Sequence, residues 1–380
     1  MKKTKGKYYE KEIEKCQKII IYAEMNIIYH ISLQFVQRLM YNELCMVQCG
    51  NCAEIKFIYN RFRGGFNMNK VTIVGSGSVG ATIAYTLAVQ GLASEIVMVD
   101  INKEKSLGEA LDIRQGVPFC NPCSVYAGNY EDAVGSDIVI ITCGVARKPG
   151  QSRLDLAQTN VSILKSVADE IVKYVPDATY IIVSNPVDVL TYVFCKHTGI
   201  PESRVIGSGT ILDTARLRAR IAEYYSVNQK NVHAYILGEH GDTAFVPWSI
   251  ANISNVPIES YGDAVLNSVA YPEFNRDDVE NYVRKSGGRV IQRKGATYYA
   301  VSVSVCHIVK CLLSGIDTTL TVSTMLHGEY GIDDVCLSLL NVVGNKGAHS
   351  KVLLPLTEEE IKSLHKSAES LKEVIRSIEI

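Results

Sequence analysis

A short β-branched run, Val71-Thr72-Ile73-Val74, leads straight into Gly75-Ser76-Gly77-Ser78-Val79-Gly80 and then into a helix-favouring apolar stretch closed by Gly91. Strand, G-x-G-x-x-G and helix in that order constrain the fold more than any other feature of the chain. Gly75 permits the tight turn, Gly77 lets the backbone approach a bound diphosphate, and Gly80 allows close packing of helix on strand. The first helical residues, Ser78 and Val79, offer free N–H groups and the positive end of the helix dipole to an anion. A second strand over 95–99 ends at Asp100, 20 residues past Gly80. A carboxylate there accepts from both ribose hydroxyls and repels a 2′-phosphate, so NAD is expected rather than NADP.

Further strands are expected over 137–142 and 179–183. Both are continuous apolar runs, as parallel strands buried on two faces require. They end at Cys143-Gly144 and at Ser184-Asn185-Pro186, and ligand groups collect at the carboxyl ends of such strands. The expected class is α/β, with a doubly wound Rossmann sheet over 68–212 followed by a mixed α+β substrate domain over 213–380. The formal net charge of -1 gives no reason to expect nucleic acid or an acidic membrane as partner. No apolar run approaches the ~20 residues of a membrane helix. The 11 cysteines are scattered and odd in number, and they read as reduced thiols of a cytoplasmic protein.

Residues 1–67 differ in character, with 11 Lys and Arg against 6 Glu and no Asp. The segment has no sustained period and no clean signal or transit pattern. Cys45, Cys49 and Cys52 lack a fourth ligand at a familiar zinc spacing, so no metal is expected. Arg63-Gly64-Gly65 can be encoded by a purine-rich run like a bacterial ribosome-binding site, just ahead of Met68. The expectation is a natural start at Met68; an intact mass that includes residues 1–67 would count against it.

From Met68 onward the motifs GSGSVG (75–80), RKPGQSRLDL (147–156), SNPVDVLTY (184–192), GSGTILDTARLR (207–218), GEHGDTAFVPWS (238–249) and KGATYYA (294–300) follow in order. On these the chain resembles the L-lactate/malate dehydrogenase family, nearest to its bacterial lactate-type members. The resemblance implies reversible hydride transfer between NAD and a 2-hydroxy acid, L-lactate to pyruvate. It makes His240 the proton carrier, a role suited to a group that titrates near neutrality. Asp213 then orients the imidazole and stabilises its cation, and Arg216 grips the substrate carboxylate through a two-pronged ion pair. Arg153 lies in a segment, residues 145–156, that Gly144, Pro149 and Gly150 mark as a loop. By resemblance this loop closes over substrate and brings Arg153 to the carbonyl oxygen. Asn185 would orient substrate or the nicotinamide end, and Thr297 would line the pocket for the substrate side chain.

The family sorts its substrates at the position held here by Arg147. A cation there suits the second carboxylate of oxaloacetate and would be buried unpaired against the methyl of pyruvate. Arg147 and Gln151 therefore favour malate, whereas Leu154, Phe245-Val246-Pro247-Trp248 and Ala296-Thr297-Tyr298-Tyr299 follow the lactate pattern. Arg218 and His233 match positions where allosteric bacterial members bind fructose 1,6-bisphosphate across a subunit interface. The reading is lactate dehydrogenase chemistry in a homotetramer, with malate dehydrogenase as the alternative. A non-catalytic NADH-sensing module is more remote, because His240, Asp213, Arg216 and Arg153 occur together. Cys120-Asn121-Pro122-Cys123 has redox spacing without a redox context and reads as a structural loop. Thr357-Glu358-Glu359-Glu360 is a capping box that opens a final helix reaching about Arg376.

Overall fold

The computed structural model describes residues 69–145, 153–266, 271 and 273–379. The proposed start at Met68, residues 1–67, Arg147 and the side chain of Arg153 lie outside that description.

The first half alternates strand and helix. β1 (Lys70–Val74) feeds α1 (Ser78–Gln90), and β2 (Glu95–Val99) is followed by α2 (Lys103–Gly116), β3 (Ser124–Gly128) and β4 (Ile138–Ile141). Then come α3 (Arg153–Tyr174), β5 (Thr179–Ile182), α4 (Val187–Thr198), β6 (Val205–Gly207) and α5 (Ile211–Tyr225). These strands are parallel and lie in the order β6-β5-β4-β1-β2-β3. Val71, Ile73, Ile96, Val97, Ile140, Ile141, Ile181 and Ile182 are fully buried, because helices cover both faces of the sheet. The strand order reverses at β1, and in such sheets the ligand crevice opens outside the carboxyl ends at that switch point.

The chain continues through β7 (Val232–His233), β8 (Asn252–Ile253) and β9 (Val256–Pro257), a small antiparallel sheet. Helices α6 (Ile258–Ala264), α7 (Arg276–Lys294) and α8 (Tyr299–Leu312) follow, then β10 (Thr318–His327), β11 (Asp333–Gly344), β12 (Gly347–Lys351) and α9 (Glu358–Arg376). β10 pairs antiparallel with β6 at Ser323 and Gly207, so β10–β12 extend the main sheet to nine strands. The box at Thr357 forms as expected: its side chain accepts from the Glu360 N–H, and the Glu360 carboxylate accepts in return from the Thr357 N–H. The expected loop over 145–156 is shorter than the sequence suggested, because Arg153 already opens α3. In the sequence, Pro149 and Gly150 signal a loop without marking where the next helix begins.

The fingerprint turn is tightly built. Gly75 has φ +108, and a Cβ on it would come 2.7 Å from Thr142 Oγ1. Thr142 Oγ1 donates to Gly75 O at 2.9 Å, tying the turn to the end of β4. A Cβ on Gly80 would run into the Gly75 carbonyl oxygen. Gly80→Ala should therefore cost about 1–3 kcal/mol of stability or more through overpacking and weaken NADH binding. Thermal melts and NADH fluorescence titration check this; an unchanged variant would mean that α1 stands farther from β1.

Among the described residues no group of His, Cys, Asp and Glu could hold a metal ion, and no helix is long and apolar enough to cross a membrane. Burial pushes the Cys123 thiol up to about 12, with Glu95 and Cys120 adding to the effect. Cys123 is thus no source of a reactive thiolate.

Candidate active site

The dinucleotide side is built from the ends of β1 and β2. Gly77 caps α1 without any side-chain hydrogen bond, so the first-turn N–H groups face outward unsatisfied by a cap. A Cβ on Gly77 would project into open space, the place a diphosphate would occupy. Ser78 is exposed and Val79 half-buried at this turn. Asp100 closes β2, where its carboxylate accepts from the Ser76 N–H at 2.5 Å and the Asn102 N–H at 2.8 Å. The residues present fit a diphosphate and a ribose diol.

The catalytic side is carried by a loop and a helix. Gly238, at φ +91, is bridged to Ser338 of β11 by hydrogen bonds in both directions. Leu237 and Phe245 exchange another pair, so the segment between them stands as a closed loop. His240 sits on that loop. Its Nδ1 lies 2.6 Å from Asp213 Oδ2, and Arg216 Nη1 lies 2.9 Å from Asp213 Oδ1. Asp213 and Arg216 share a face of α5 because they are three residues apart, while Thr214, Leu217 and Ile221 turn into the core. Asp213 is 14% and His240 29% exposed at the side chain, so the carboxylate is shielded and the imidazole still reaches solvent.

Electrostatics follow from this geometry. Desolvation disfavours the His240 cation, but the Asp213 charge and hydrogen bond, with help from Asp188, outweigh it and raise the pKa above the ordinary imidazole value. Desolvation likewise raises Asp213, yet His240 and Arg216 together pull it below the usual carboxylate range. A cavity of ≈ 210 Å³ opens beside the pair. Its walls include Arg216, Asp242 and Val246, and from α7 Glu280, Arg284 and Gly287. A cation and a proton carrier at a half-open cavity can hold a small carboxylate and exchange a proton with it.

Other expected residues lie elsewhere. Asn185 is exposed just past β5 and Thr297 is half-buried between α7 and α8; neither lines the cavity. Arg218 donates from Nε to Ala234 O at 2.9 Å and lies over the Tyr235 ring. That places it against the segment carrying His233, which is exposed. Two residues went unnoticed in the sequence. Asn160, 3% exposed, accepts from the Val145 N–H at 2.8 Å and donates to Asn185 O at 2.7 Å, joining the start of the 145–152 segment to Asn185. Asp188 accepts from the His240 backbone N–H at 2.7 Å. The only sequence signal was a polar residue on an otherwise apolar helix face.

A Rossmann sheet with this histidine–carboxylate–arginine cluster defines the class of nicotinamide-dependent dehydrogenases. The NAD-binding domain model of lactate/malate dehydrogenase matches residues 69–207, and the family's α/β C-terminal domain model matches residues 210–379. The chain belongs to the lactate/malate dehydrogenase family, and NAD is its cofactor. It is 48% identical over 313 residues to an L-lactate dehydrogenase of a Thermoanaerobacter species, 82% of this chain and 100% of the relative. It is 45% identical over 311 residues to an L-lactate dehydrogenase of Clostridium botulinum, 82% of this chain and 97% of the relative. Among solved structures it is similar to the minor L-lactate dehydrogenase of Enterococcus mundtii, with TM-score 0.78 and 38% identity, covering 83% of this chain and 100% of the other.

Proposed function

We propose that the chain reduces pyruvate with NADH to L-lactate, reversibly. The observation that carries this reading is the Nδ1–Oδ2 contact of 2.6 Å between His240 and Asp213, with Arg216 beside them at a cavity of carboxylate size. Bound NADH supplies the hydride to the keto carbon. Arg216 holds the substrate carboxylate through paired, charge-assisted hydrogen bonds. His240 keeps its Nδ1 proton against Asp213 and delivers the Nε2 proton to the ketone oxygen. Asp213 fixes the ring and stabilises the cation that precedes delivery. Arg153, at the start of α3, comes over the substrate and offsets negative charge developing on that oxygen. Asn185 orients the reacting ends, and Thr297 meets the substrate's variable end. Gly75, Gly77, Ser78, Val79, Gly80 and Asp100 hold the dinucleotide.

Two finer readings go with this. Burial, Lys310 and Arg218 together hold the His307 pKa below its ordinary value, so two cations lie within electrostatic reach of that ring. With His233 nearby in sequence, this supports fructose 1,6-bisphosphate as an effector in a homotetramer. The described cysteines are free thiols, in keeping with a cytoplasmic enzyme. The second reading, malate dehydrogenase, is favoured by Arg147 and, more weakly, by Gln151.

NADH oxidation by the full chain, with pyruvate and oxaloacetate side by side and with or without the bisphosphate, tests the assignment. A larger kcat/KM for pyruvate, raised by the bisphosphate, is expected. A preference for oxaloacetate selects the malate reading, and turnover with neither sinks both.

A further inference from the structure

We propose that Asp188 is a positioning residue for the reaction, a second buried carboxylate that anchors the His240 loop and holds the imidazole in its protonated, donating form. The inference rests on the reading of His240 as proton donor. Asp188 is the second residue of α4 and 2% exposed. Its Oδ2 takes the His240 N–H at 2.7 Å, while its Oδ1 is buried with no well-formed hydrogen bond. A buried carboxylate with one poorly satisfied oxygen is costly for a merely structural anchor, because a carboxamide would accept the same N–H without charge. The charge therefore has a use, and the group that it faces is His240.

The surroundings make the charge effective. Ser323 of β10 stands beside the carboxylate, and the His240 N–H and imidazole lie to one side. Glu239 adds a like charge from the same loop, and Cys336 of β11 lies within electrostatic reach. Asp213 and Arg216 face the imidazole from α5. Burial lifts the Asp188 pKa to about 6, with Ser323 and the His240 N–H working against it. The group is thus ionised through the neutral range in which His240 must carry its proton, and its charge raises the His240 pKa alongside that of Asp213. Low dielectric around the pair keeps this interaction strong.

Asp188→Asn separates the two roles, since the amide oxygen still accepts the His240 N–H and its NH₂ can meet Ser323. The direct readout is the rate of diethyl pyrocarbonate modification at His240 against pH, followed by peptide mass spectrometry on the full chain. Only the neutral ring reacts, so the midpoint reports the His240 pKa without any need for turnover. The midpoint should move to lower pH in Asp188→Asn. Ser323→Ala, which removes a group favouring the carboxylate, should move it the same way with Asp188 in place. A folded variant of either kind with an unmoved midpoint overturns the proposal. In pyruvate reduction, the alkaline limb of kcat should shift to lower pH, about tenfold in protonated fraction per unit, with KM unchanged. A wild-type chain that reduces no 2-keto acid would defeat the functional assignment, while the midpoint comparison would still decide the role of Asp188.

Discussion

Asp213→Asn should lower kcat for pyruvate reduction by about 10²–10⁴-fold, the usual worth of a correctly held general acid, while NADH binding stays intact. The loss has two sources. The carboxamide of the variant could offer its N–H to His240 Nδ1 and hold the ring neutral with its proton on Nε2, a far weaker acid towards the ketone than the imidazolium. The substitution also removes the carboxylate that overcomes desolvation of the imidazole, so the His240 pKa falls. Reduction requires protonated His240: the activity is present below its folded pKa and lost as pH rises through it. In the variant that alkaline limb moves to lower pH, and lactate oxidation suffers as well, since it needs a free Nε2 and this tautomer holds a proton there. Stability changes at the other end of the scale. The Asp213 pKa lies below the ordinary 3.8 in the fold, so its contribution is present above that value and lost as pH falls through the folded pKa. Steady-state pH profiles with an NADH titration check the prediction, and a variant profile that superimposes on wild type would remove Asp213 from the mechanism.

The opposite sign at Asp188 marks how far the sequence could be read. Its folded pKa rises from 3.8 to about 6, so ionisation works against folding as pH climbs through that window. At about 1.4 kcal/mol per unit the penalty is about 3 kcal/mol above pH 6. Nothing in Val187-Asp188-Val189-Leu190 announces this, because periodicity marks apolar faces and an acid in a first helical turn reads as an ordinary dipole partner. The strands were legible for the converse reason. Val71–Val74 and Ile138–Ile141 are pure β-branched runs between glycine-bearing turns, and burial on both faces leaves them no other composition. The Thr357 box was legible because capping is local. The two-residue strands β7–β9 carry no period at all, and the pairing of Ser323 with Gly207 depends on residues more than a hundred positions apart. The site divides along the same line. Asp213 and Arg216 are neighbours on one helix and visible as a pair, whereas Asn160 acts only through the backbone of Val145 and Asn185.

Arg147→Gln should raise the ratio of pyruvate to oxaloacetate kcat/KM by on the order of 10²–10³-fold. That corresponds to the roughly 3–5 kcal/mol that separates a paired from an unpaired buried charge. With oxaloacetate bound, the Arg147 guanidinium would meet the second carboxylate in a site emptied of water, where one missing partner is felt in full. With pyruvate the same guanidinium would face a methyl group, and glutamine would remove that cost. The effect should appear in kcat/KM for both substrates with opposite signs, because the enzyme discriminates through the transition state and not through ground-state affinity alone. Arg216, proposed to hold the carboxylate common to both, should give the contrasting pattern: Arg216→Lys weakens both substrates alike, since an ammonium cannot reproduce the two-pronged pair. A ratio that stays put in Arg147→Gln would mean that the closed loop carries Arg147 away from the substrate. Selectivity would then reside in the wall that α7 lends to the cavity, with Glu280, Arg284 and Gly287.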